Sequence, residues 1–93
     1  MADTRALLNG LESYHEALQR HQSGLQLSFG ELSLHWQVCS AAWEGDGAEQ
    51  FSMHWRTTME RFDFYLERGR AIAALLSESI DALRLLNEEQ GEM

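Results

Sequence analysis

The chain has no proline, no lysine and one cysteine in 93 residues. Without proline nothing in the sequence is obliged to break a helix, because only that residue both fixes φ and removes the backbone donor. Without lysine every side-chain cation is an arginine, and seven of them face fifteen carboxylates for a formal charge of −8. That balance argues against nucleic-acid binding and against stable insertion into, or adhesion to, an anionic membrane. A single cysteine, Cys39, excludes an internal disulfide. Long apolar runs of the kind that span a bilayer are missing, and Met1-Ala2-Asp3-Thr4-Arg5 lacks the basic-then-apolar layout of a cleaved leader. The reading is therefore a soluble chain that leaves the cell, if it does, by a route needing no signal peptide.

What is present is helical periodicity. Alternating steps of three and four pick out Leu8, Leu11, His15, Leu18, Gln22, Leu25, Phe29, Leu32, Trp36, Cys39 and Trp43. The same step then gives Ala48, Phe51, Trp55, Thr58, Phe62, Tyr65, Gly69, Ile72, Leu76, Ser79, Leu83 and Leu86. A repeat held this long keeps one stripe facing a partner helix. Between the two runs stand Trp43-Glu44-Gly45, with Gly45 suited to a left-handed helix end and Asp46 with Glu49 resembling a capping box. The expected fold is all-α: an antiparallel two-helix hairpin with a Trp-x-Gly turn, in one domain covering 1–93. Helix one spans about 4–42, opened by Asp3 or Thr4; the turn spans about 43–46; helix two spans about 47–87, with Asn87 and Gly91 as stops; an acidic tail follows over 88–93.

If the bend sets the register, facing seam positions have numbers that add to about ninety. Trp36 then meets Trp55, Cys39 meets Phe51 as a buried thiol, Phe29 meets Phe62, Leu18 meets Ile72 and Leu8 meets Leu83. Aromatic residues gather at the turn end, where ring pairs add roughly 0.5–1.5 kcal/mol each beyond their buried area. Trp43 closes that cluster and Gly45 lets the chain reverse, so both are expected to build the turn.

One helix–helix contact gives a small chain little interior. A second apolar set suggests how the deficit is met. Leu27, Leu34 and Val38 fall on the far side of helix one; Met53 and Phe64 fall near the opposite face of helix two; Met59, Leu66 and Ile80 widen its main stripe. These residues are the expected interface through which two hairpins form a four-helix bundle. With no obvious block of unmatched charge on the seam, the bundle is read as a homodimer, with a heterodimer as the alternative.

Chemistry is sparse. His35, Cys39 and His54 come near one another in this register, yet a closed zinc site needs a fourth ligand, so no metal and no cofactor are expected. His15 sits on the seam among leucines, where a charged ring would be poorly solvated; bundle stability is accordingly expected to fall toward mildly acidic pH. Neither a glycine-rich phosphate loop nor a serine–histidine–carboxylate arrangement is present, and a two-helix rod offers no deep pocket, so the chain is not read as an enzyme.

A chain of this length with two long helices, a central Trp43-x-Gly45 and Ala48 and Phe51 directly after it resembles the WXG family of small type VII (ESX) secretion proteins. The resemblance covers essentially the whole chain. It implies a dimer of hairpins, homomeric or with a sister protein, held in the cytoplasm and then secreted folded through a membrane-embedded ATPase, which would read the surface around Trp43 and Gly45. The chain would act as a secreted substrate or as a carrier for a co-secreted partner. One departure stands out: the Tyr-x-x-x-Asp/Glu signal common past the second helix is absent, since residues 87–93 hold no tyrosine and Tyr65 is followed by Gly69 at that spacing. The residues read without the resemblance also allow a purely structural helical adaptor or self-assembling subunit.

Overall fold

The computed structural model describes residues 4–91 and consists of two α-helices in a hairpin. Helix α1 covers Thr4–Ala42 and helix α2 covers Asp46–Gly91. Among the described residues there is no strand. The capping role offered to Asp3 lies outside the described residues.

The linker is three residues long. The backbone N–H of Trp43 still donates to the Cys39 carbonyl at 3.0 Å, so the α1 hydrogen-bond ladder runs to its limit. Gly45 then adopts φ +104°, a conformation costly for residues with a Cβ. Its carbonyl accepts from the Glu49 N–H at 3.1 Å, which makes Gly45 the cap of α2. Asp46 consequently lies inside the first turn with Glu49, rather than at the cap where the capping box places it. There both carboxylates face the positive end of the helix dipole. At the other end α2 continues through the expected stop at Asn87 as far as Gly91. Asn87 continues the inward-facing 3,4 spacing, and Glu88 and Glu89 are good helix formers, so no local preference ends the helix there.

The result is a rod 72 × 17 × 17 Å. Its radius of gyration is 20.8 Å, against about 12 Å for a compact domain of this length. Interior is correspondingly scarce: among the described residues the buried hydrophobics are Leu8, Leu66 and Ile80, and no large side chain is fully enclosed.

Which residues face inward corrects the sequence reading in part. On α1 the stripe is Leu8, Leu11, His15, Leu18, Gln22, Leu25 and Phe29, as expected, but it then steps to Ser33 and Trp36, leaving Leu32 and Cys39 exposed. A straight helix has 3.6 residues per turn, so a strict 3.5 repeat drifts off the contact line after several turns. On α2 the inward row is Ser52, Trp55, Met59, Phe62, Leu66, Gly69, Ala73, Leu76, Ile80 and Leu83. Phe51, Tyr65, Ile72 and Leu86 lie one residue to the side and are exposed. The apolar stripe of α2 is wider than one contact line, and the other half of it packs on α1. Met59, Leu66 and Ile80, read as surface for a partner, are therefore packed inside the hairpin.

Candidate functional site

At the bend, aromatic rings stack from both helices. Trp36 lies 4.8 Å from Phe51, 6.3 Å from Trp55 and 6.3 Å edge-on from Trp43, centroid to centroid. Trp43 is also 5.7 Å from Phe51. Four large rings thus hold one another where the rod reverses. Trp36 and Trp55 meet as the register requires; Phe51, expected opposite Cys39, is taken up by the two indoles, and the Cys39 thiol is left exposed.

Trp43 is not consumed by this packing. It keeps 45% of its surface exposed and, with Glu44, Gly45, Ala48, Glu49 and Ser52, borders an open hollow at the tip. Gly47 lies beside the Trp43 ring, where an added Cβ would meet it at 3.5 Å in ordinary van der Waals contact. The tip therefore presents one broad indole edge beside the carboxylates of Glu44 and Glu49.

Along the shaft the two flanks of the helix pair differ. On one, Arg84 donates from Nε to the Glu12 carboxylate at 3.1 Å and reaches Asp81 at 3.8 Å. Glu12, His15, Glu16, Asp81 and Arg84 line a polar groove there. His15 is thus half-buried beside a carboxylate-lined opening rather than enclosed by leucines.

Tyr14 stands two residues from Glu12, about 200° around α1, and so belongs to the opposite flank. There Tyr14, Leu18, Gln22, Tyr65, Arg68, Gly69 and Ile72 line an apolar groove, which brings Leu18 and Ile72 together as the register requires. The Tyr65 hydroxyl is 3.1 Å from His21 Nε2 across the helices. Gly69 is buried under the Gln22 side chain, whose amide donates to the Leu66 carbonyl at 3.4 Å. The groove continues onto a shallower apolar surface made by Phe64, Tyr65, Arg61, Arg68 and Glu60, with the Arg68 guanidinium 5.5 Å over the Phe64 ring.

The remaining candidates separate. Leu27, Leu34 and Val38 point outward from α1 at 72%, 65% and 75% exposure, and Met53 does the same on α2. Phe64 is exposed on the shaft surface just described. Neither the Tyr65–Arg68 groove nor the Arg84 ion pairs were singled out from the sequence; the seven-residue spacing of Arg61 and Arg68 beside Tyr65 was the available signal. Among the described residues no three histidine, cysteine or carboxylate side chains gather as a metal site would require, and no helix is long and apolar enough to cross a membrane. The chain matches no protein-family profile, no curated protein and no solved structure.

Proposed function

We propose that this chain is a WXG-type protein of a type VII secretion system, working as half of a helical bundle that is exported folded, either as substrate or as carrier for a partner. The observation that carries the reading is the tip. Trp43 and Gly45 stand in the reversal between two helices of comparable length, with the indole half exposed and held by Trp36 and Phe51. A rigid aromatic edge beside an open hollow is a suitable contact for a protein partner, because a large amphipathic ring contributes area at low entropic cost. The secretion ATPase is the partner assigned to it. Catalysis forms no part of the proposal, and the missing Tyr-x-x-x-Asp/Glu signal is assigned to the other half of the bundle.

The test is Trp43→Arg, compared with the parent for binding to the ATPase and for export in a reconstituted strain. Binding and export are expected to be lost while circular dichroism keeps the helical signal of the shaft. A folded variant that still binds the ATPase and is still exported would overturn the proposal. A second reading, a self-assembling structural subunit, draws on the outward strip Leu27, Leu34 and Val38; polymers that lengthen with concentration in sedimentation would favour it.

A further inference from the structure

We infer that the groove along Tyr14, Tyr65 and Ile72 is the seat of an acidic amphipathic helix from a different chain, rather than of a second copy of this one. The inference rests on reading the rod as half of a bundle, but not on export.

Two observations on this flank support it. Its apolar side chains are exposed, with Tyr14 at 58%, Tyr65 at 51% and Ile72 at 47%, in a rod whose own interior is too small to use them. Its charge runs against that of the whole molecule. The chain carries −8, yet the groove and the surface beside it are lined by Arg61 and Arg68, with Glu60 the one carboxylate among the described residues that line them. Among the described residues neither arginine lies within ion-pair distance of a carboxylate; Arg68 rests on the Phe64 ring instead. The ion pairs seen on the shaft, from Arg84 to Glu12 and Asp81, are on the other flank.

An aromatic floor edged by arginine has the composition of a protein-binding hot spot. Apposing two copies of it would bring arginine rows together with little acid to receive them, and like charges placed face to face select against that pairing. An acidic helix satisfies both features. Arg61 and Arg68 are seven residues apart, about 10.5 Å along α2 at the helical rise. They match two carboxylates one heptad apart on a partner helix whose apolar i, i+3, i+4, i+7 residues lie on Tyr65 and Ile72.

The experiment titrates the full chain with three fluorescent 21-residue helical peptides that share one apolar stripe. The first carries glutamates one heptad apart beside the stripe, the second lysines at those positions, and the third has the glutamates moved to the opposite face. Anisotropy is read for the parent and for Arg61→Glu/Arg68→Glu, with circular dichroism confirming that both remain helical. The first peptide is expected to bind the parent at least about tenfold tighter than the other two, with an affinity that falls as salt rises. In the double variant the preference is expected to invert toward the lysine peptide. Equal binding of the glutamate and lysine peptides, no binding of any peptide, or a preference unchanged in the double variant would each overturn the inference. Loss of ATPase recognition by Trp43→Arg leaves this titration unaffected, so the two proposals fail separately.

Discussion

Gly45 is the residue on which the reversal depends. Its φ of +104° is outside the range that L side chains favour, while a Cβ added there would meet nothing within 4 Å. Gly45→Ala is therefore expected to cost about 1–2 kcal/mol from backbone conformation alone, measured by urea unfolding. A D-alanine placed at 45 by chemical synthesis should restore the parent midpoint; a D-alanine variant as unstable as the L form would show that something other than chirality is at stake. Gly24 and Gly30 sit in ordinary helical backbone with open space around them. Each glycine-to-alanine change there should raise stability by up to about 1 kcal/mol, seen as a higher melting temperature. His15 occupies a half-buried place between Leu11 and Leu18 on the inward stripe. His15→Leu is expected to stabilise the hairpin by about 1 kcal/mol through added apolar contact, and an unchanged or lowered urea midpoint would count against that placement.

At the scale of the elements, the two helices are joined by rings more than by charges. Phe29 and Phe62 stack with centroids 3.7 Å apart and planes 11° from parallel. A double-mutant cycle through alanine at these positions should return a coupling of about 0.5–1.5 kcal/mol. Arg84→Ala should cost at most about 1 kcal/mol, because its pair with Glu12 is partly solvated and screened. The stack was legible in the sequence, as were both helices, their antiparallel pairing and the meeting of Trp36 with Trp55, since one bend and one repeat determine all of them. The choice between the two halves of the α2 stripe was not. Phe51, Tyr65, Ile72 and Leu86 make as good an apolar row as Met59, Leu66 and Ile80, so the repeat alone does not say which row packs on α1. That choice moved the candidate partner surface from Leu66 and Ile80 to Tyr65 and Ile72, and it left Cys39 outside.

For the whole molecule, the thin rod and its exposed apolar flank carry the main consequence. Buried Leu8, Leu66 and Ile80 are a small core for a chain of this length, and most helical stability in proteins comes from packing of the apolar face. The hairpin alone is expected to unfold broadly at moderate temperature, and a partner seated on the Tyr65 groove should sharpen the transition and raise its midpoint in proportion to the logarithm of partner concentration; a midpoint independent of partner would contradict this. The rod also has a mechanical polarity. Thr4, where α1 starts, and Gly91, where α2 finishes, lie toward the same end of the 72 Å shaft, and the covalent link is at the other. A load applied across Thr4 and Gly91 would part the helices turn by turn, like a zip, with only one turn's contacts resisting at any moment. A load applied at Trp43 and Gly45 would instead draw the shaft lengthwise, with both helices trailing side by side and no tension between them.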